Sequence, residues 1–463
     1  MKARINILFL VLAVNLSLLS CSKSKTSPPS PPPVPAVTDS TPAQYGTPFA
    51  NVPNRQDATI YQVNIRAFSQ TGNFSGVTAR LDSIKALGVN VIYLMPIYPV
   101  GTVKSVNSPY CVKDYKAINP EFGTLEDLRS LVEGAHSRNM SVILDWVANH
   151  TAWDNSWITA HKSWYAQDAS GNVISPQGFA DVAQLNFNND TMRLAMIADM
   201  KYWVYTANID GFRCDFADNP PVTFWQQAID TLRNITTHSL LMLAEGSRSA
   251  NFTVGFDYNF GFAFYGNLKN IYSNHASVQN IDNLNTSEYA GATNGQQVVR
   301  YITNHDVNGS DGTPLSLFGG KNGSLAAFTV VAYMKSVPMI YDGQEVGMIT
   351  PITFPFTSVK IDWTTGQDVT AAYKKIIAFR NSSKAIRQGD LTSYSNSDVC
   401  AFVKTKDTEK VLVIVNLRNS AVTYTLPAPV ANTTWTDALN GGTIVLTNQL
   451  ILRPYEYMVM KNQ

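Results

Sequence analysis

Four short stretches of this chain close or follow apolar runs with charged and hydrogen-bonding groups that a core does not need. "LDWVANH" supplies Asp145, Asn149 and His150, and "GFRCD" supplies Arg213 and Asp215; "LLMLAE" ends in Glu245, and "TNHD" supplies Asn304, His305 and Asp306. Side chains alternate faces along a strand, so Arg213 and Asp215 point one way and Cys214 the other. A buried ion pair stabilises poorly once desolvation is counted, so a recurring set of such groups speaks for chemistry. Several carboxylates, with no metal-spaced His/Cys cluster and no phosphate loop, suit hydrolysis of a neutral acetal. Glycoside cleavage of this kind takes one carboxylate as nucleophile or base and one protonated acid. Arg213 beside Asp215 is expected to hold that carboxyl ionised. Glu245 rises from an apolar strand, where desolvation should lift its pKa toward the value a general acid wants.

Elements far apart in sequence must bring these groups together. Between Thr59 and about Arg380, β-branched runs alternate with helical stretches. Strands are expected at 59–65, 90–97, 141–147, 209–215, 240–245, 254–258, 298–303 and 337–341, with helices at 76–88 and 124–139 among those between them. Eight strands in βα alternation predict an α/β fold, a parallel (β/α)8 TIM barrel whose active site lies at the strands' C-terminal ends. An open doubly wound sheet is the alternative, but it would want a Gly-rich phosphate loop after the first strand. The gap from Asp145 to Asp215 exceeds one barrel unit of about 30 residues, so a short subdomain at about 151–189 is inserted after strand three. It carries Trp153, Trp157 and Trp164, which either line a groove or pack the insert. Phe256, Tyr258 and Phe260 are read as core. After about Ala385 the apolar period becomes two, which predicts a separate antiparallel β-sandwich over 385–463. The barrel is bounded at 54–384.

The N-terminus reads as a targeting segment. Lys2 and Arg4 precede an apolar run from Ile7 to Leu19, too short to span a membrane, and "LLSC" resembles a bacterial lipobox. A signal peptide at 1–21 is therefore expected, with Cys21 lipidated and the protein exported and anchored to a bacterial membrane. Residues 22–53, Ser- and Pro-rich, suit an extended spacer. Cys111, Cys214 and Cys400 are far apart and read as buried small residues, not disulfide partners. His136, His161, His238 and His275 have no motif context and are read as surface residues. The chain has 463 residues, 45% hydrophobic and 15% charged, with net charge +1, and no basic run interleaved with aromatics, which argues against nucleic acid and for a neutral substrate.

In order and spacing, "DWVANH" (145–150), "GFRCD" (211–215), "AE" (244–245) and "NHD" (304–306) closely resemble the four signature regions of the alpha-amylase family of glycoside hydrolases. "VKDYKAINPEFGTLEDLRSLV" (112–132), "DVAQLNFNN" (181–189) and "VPMIYDGQEVG" (337–347) match as well, and the resemblance covers about residues 55–463. It implies a retaining hydrolase of α-1,4-glucosidic bonds in starch, maltodextrins or related α-glucans. Asp215 would be the nucleophile, Glu245 the acid/base and Asp306 the third acid. Arg213 would orient Asp215, while Tyr110, Asp145, His150, Asn304 and His305 would bind the sugar. Asn149 is the one residue pointing to calcium, as a ligand in many relatives. Asp218 and Asn219 stand where the family often has Lys and His, so its aglycone contacts do not carry over and weak binding beyond the cleavage point is expected. Two alternatives use the same pattern: an α-glucosyl transferase or disaccharide isomerase, and a non-catalytic glucan-binding protein.

Overall fold

Eight short strands, each buried along its whole length, close into a parallel barrel in the computed structural model, which describes residues 42–462. The expected signal peptide, most of the linker and Cys21 lie outside the described residues. The barrel strands are β1 (Ile60–Val63), β2 (Val91–Leu94), β3 (Ser141–Trp146), β6 (Gly211–Cys214), β7 (Leu241–Ala244), β8 (Tyr258–Phe260), β9 (Gln297–Arg300) and β10 (Val337–Tyr341), with β10 returning to β1. Strands buried on both faces read as continuous apolar runs, as seven of the expected segments do. The sixth differs. Residues 254–258 were expected to form it, but Ala250–Thr253 is a helical turn and Gly255 takes φ +103°, so the strand starts at Tyr258. Asp257, just before it, accepts from the Met242 N–H at 2.7 Å and ties β8 to β7.

Helices cover the outside. Leu125–His136 starts at a capping box, in which Thr124 accepts from the Asp127 N–H and the Asp127 carboxylate from the Thr124 N–H. Its buried Leu128, Leu131, Val132 and Ala135 fall at the i, i+3, i+4, i+7 spacing of one face. The stretch expected as one helix over 76–88 is instead two, Phe74–Thr78 and Leu81–Ala86, broken at Ala79–Arg80. His136 is not a free surface residue: its ring stacks on Phe49 and its Nε2 lies 2.8 Å from buried Asp210, whose carboxylate also accepts from the Val142 N–H.

After β3 the insert forms a two-stranded antiparallel ribbon, β4 (His150–Ala152) with β5 (Val182–Gln184). Trp153, Trp157 and Trp164 are half-buried against the core, so they pack the insert and none lines the cleft. Cys111, Cys214 and Cys400 are buried free thiols. Beyond the helix Lys384–Gln388, the strands β11 (Asp390–Ser393), β12 (Val399–Lys406), β13 (Glu409–Asn416), β15 (Thr434–Asp437), β16 (Thr443–Val445) and β18 (Tyr457–Lys461) form one antiparallel sheet. A smaller sheet pairs β14 (Val422–Thr425) with β17 (Gln449–Leu452). Period two is explicit along β13: Val411, Val413 and Val415 join the barrel core, while Leu412 and Ile414 face the domain's own core with Tyr424, Trp435 and Leu452. Among the described residues no helix is long and apolar enough to cross a membrane.

Candidate active site

Arg213 is the centre of the barrel mouth. It is fully buried, and rings of Tyr93, Tyr110 and Phe260 lie within 5.9 Å of its guanidinium. Nη1 donates to Asp145 Oδ1 at 2.7 Å and Asp215 Oδ1 at 2.9 Å. Nη2 lies 2.7 Å from Glu245 Oε1, a charge contact out of line for a hydrogen bond. Strand register explains the convergence. Asp145 pairs with Arg213 across β3 and β6, and Cys214 pairs with Ala244 across β6 and β7, so Asp215 and Glu245 leave neighbouring strands at the same level. Gly211 makes that register possible: at φ +143° its backbone passes so close to β7 that a Cβ would sit 1.9 Å from the Leu241 carbonyl oxygen.

Four acids face this one cation, because Asp306 lies within hydrogen-bonding reach of Glu245. Burial raises the carboxyl pKa of Asp145, Asp215, Glu245 and Asp306, and repulsion from neighbouring acids adds to it at Asp215 and Glu245; Arg213 opposes this at each. The push is strongest at Asp215, so Arg213 alone does not keep it at the usual carboxylate value, contrary to the expectation from sequence. Asp306 has 52% of its side chain exposed, where water screens the effect. A proton held by Glu245 can be donated to Asp306, which leaves the aligned Nη1 donor for an ionised Asp215. Burial lowers the pKa of His150 and His305 to about 4, so both are neutral at pH 7 and offer hydrogen bonds, not charge.

A relay fixes the ring of His305. Gln62 Nε2 meets Nδ1 at 2.7 Å and Tyr110 Oη meets Nε2 at 2.6 Å; Tyr110 in turn donates to Asp145 Oδ2 at 3.0 Å. Tyr93 donates to the same oxygen at 2.6 Å. With the Gln62 amide donating, the His305 proton sits on Nε2. Sequence reading missed Gln62 and Tyr93. The one signal for Gln62 was a lone polar residue in the apolar run "TIYQVNI".

The cleft has a volume of about 410 Å³, and Tyr110, His150, Asp215, Glu245, His305 and Asp306 line it together. Asn304 does not belong with them. It is buried and does not line the cleft, and its Oδ1 caps the helix His305–Asp311 by accepting from the N–H groups of Asp306 and Val307, so it positions its neighbours.

Asn149 does not fit a calcium site. Its Oδ1 accepts from Asn219 Nδ2 at 2.5 Å and Gln184 Nε2 at 3.1 Å, so amide protons occupy the direction from which a cation would approach. Among the described residues no group of three His, Cys, Asp or Glu side chains is arranged to hold a metal. Asp218 is likewise engaged elsewhere, accepting from the N–H groups of Ser247 and Arg248 and from Asn251 Nδ2.

Comparison with known proteins agrees with this geometry. The family model described as "Alpha amylase, catalytic domain" matches residues 45–172 and 159–389, and "Alpha-amylase SusG C-terminal domain" matches 399–459. The chain is similar to alpha-amylase 3 of Dictyoglomus thermophilum, at 24% identity over 89% of this chain and 94% of that one. It is also similar to neopullulanase 2 of Thermoactinomyces vulgaris, at 25% identity over 84% and 71%. Among solved structures, an alpha-amylase from Lactobacillus plantarum superposes with TM-score 0.79 at 26% identity, covering 88% of this chain and 99% of that one.

Proposed function

The chain belongs to the alpha-amylase family of glycoside hydrolases, and from that premise we propose that it hydrolyses α-1,4-glucosidic bonds of starch, maltodextrins or related α-glucans with retention. The observation that carries this reading is the single Arg213 guanidinium reaching Asp145, Asp215 and Glu245 at once. One guanidinium holds Asp215 and Glu245 as neighbours, and the reading takes them as the pair of a retaining enzyme, whose carboxyl groups stand about 5–5.5 Å apart. The names of relatives as alpha-amylase, neopullulanase and cyclomaltodextrinase support an α-glucan as substrate.

In the proposed reaction Asp215 attacks the anomeric carbon while Glu245 gives its proton to the departing glycosidic oxygen. A C–O bond to Asp215 forms as the bond to the leaving sugar breaks. Glu245, now ionised, takes a proton from water, whose oxygen displaces Asp215. Neutral His150 and His305 bind hydroxyls of the sugar without adding charge to a site that already has an excess of acids. Asp145, fully buried and hydrogen-bonded by Tyr93, Tyr110 and Arg213, fixes the ring of donors around that sugar. We also propose export and anchoring to a bacterial membrane through Cys21.

Two variants test the assignment. Asp215→Asn should lose activity on every substrate. Glu245→Gln should still be glycosylated by α-maltosyl fluoride, whose leaving group needs no protonation, and azide should restore turnover with formation of α-maltosyl azide. A β-azide from the Glu245 variant would mean that the two roles are reversed. The digestion products of maltoheptaose separate the enzymatic readings: short maltodextrins indicate hydrolysis, and sugars longer than the substrate indicate transfer.

A further inference from the structure

Three of the four exposed phenylalanines among the described residues, Phe179, Phe216 and Phe354, line the one cleft that holds the acids. Exposed apolar groups gathered in a polar-rimmed cavity mark a ligand surface. Phe216 is the most unusual of them. It directly follows the nucleophile and is 45% exposed between Asp215 at 8% and Ala217 at 0%. It also takes φ +46°, a strained conformation for a bulky residue, and nothing in the barrel core requires its ring. The kink has two results. It turns the Phe216 N–H onto Glu245 Oε2 at 2.7 Å, and it sends the ring into the cleft instead of the core.

That contact fixes which side of the cleft Phe216 occupies. In the reaction proposed above, the leaving group departs beside the Glu245 carboxyl, because that carboxyl protonates its oxygen. In the same reading the sugar that stays is held by Tyr110, His150 and His305, which also line the cleft. The polar side chains that follow in sequence are turned away from this space: Asp218 clips the loop after β6 to that after β7, and Asn219 holds Asn149. An aromatic face without polar competitors prefers the C–H face of a pyranose or an aryl ring.

We infer that Phe216 is the platform of an aglycone subsite that takes the leaving sugar, or an aryl group in its place, by stacking and not by hydrogen bonding. This rests on the proposed retaining hydrolysis. It replaces the weak aglycone binding expected from sequence with a subsite that is apolar and tolerant of different leaving groups.

The test compares p-nitrophenyl α-maltoside and maltoheptaose, whose leaving groups reach the ring, with α-maltosyl fluoride, whose leaving group does not. In Phe216→Ala, kcat/KM for each of the first two, divided by that for the fluoride, should fall about tenfold, the loss expected for one stacked ring. Phe216→Trp should restore the ratio. Because the side chain is exposed, folding should not be at risk; thermal unfolding of both variants checks this. A ratio that falls for maltoheptaose but not for p-nitrophenyl α-maltoside, whose leaving group needs little protonation, would mean that residue 216 acts only through Glu245, and would overturn the inference. So would an unchanged ratio. If the parent enzyme cleaves none of the three, the proposed hydrolysis itself fails, a result distinct from either.

Discussion

Burial pushes the Glu345 carboxyl up to about 7, although Tyr61 donates to one of its oxygens at 2.5 Å and the Gly343 N–H to the other at 3.0 Å. It lies outside the catalytic cleft, which makes it a clean reporter. A folded-state pKa above the ordinary 4.5 means that the folded chain holds this proton more tightly than the unfolded one. The stability it contributes is fully present below about pH 4.5 and is lost as pH rises to about 7, on the order of 3 kcal/mol in all. Glu345→Gln can satisfy the same partners, Oε1 accepting from Gly343 and Nε2 donating to Tyr61. Its stability in urea should therefore fall less between pH 5 and 7.5 than the parent's; parallel slopes would disprove the assignment. Single residues are also where sequence reading had least to work with. Asp145, Asp215, Glu245 and Asp306 were legible because carboxylates at the ends of apolar runs have few structural uses. The capping role of Asn304 was passed over although Asn before a helix is a common cap, since the motif "NHD" made all three residues look alike. Phe216 directly follows the motif "GFRCD", and nothing in the local sequence says that its ring turns into the cleft.

At the scale of elements, local period carried the barrel and the terminal sandwich: six of eight strands fall inside the expected segments and β9 overlaps its own, because burial on both faces leaves an apolar run. The exception, β8, was displaced by the left-handed turn at Gly255 and by Asp257, whose tie to β7 crosses the sheet and is invisible to a local pattern. The insert presents the same lesson. Its attachment to the barrel depends on amides distant in sequence, Asn149, Gln184 and Asn219, and on Tyr115, whose hydroxyl reaches the carbonyl oxygens of Val147 and His150. Because amide protons fill the place of a cation, dialysis against a chelator should leave the melting temperature and activity unchanged. Asn219→Ala, which leaves Asn149 without its shortest partner, should destabilise by about 1–2 kcal/mol. A large drop with chelator, reversed by calcium, would refute this account of how the insert is held.

For the whole molecule, the proposed lipid anchor at Cys21 would tie the enzyme to a membrane. Cys21→Ser should release the protein from membranes with its activity on soluble starch intact; undiminished membrane association would place the anchor elsewhere. The shared guanidinium sets a further property, the direction in which this sequence drifts. Asp145, Asp215, Glu245 and Asp306 crowd one cation, and burial with the charge of its neighbours opposes ionisation most strongly at Asp215. Replacing one acid by its amide relieves repulsion and desolvation together. Asp215→Asn, though inactive, should therefore melt a few degrees above the parent at pH 7, and a lower melting temperature would contradict this. Losing the reaction would then be thermodynamically downhill for the fold, and only selection for turnover would keep a lineage from sliding into a stable, inert binder of the same glucan.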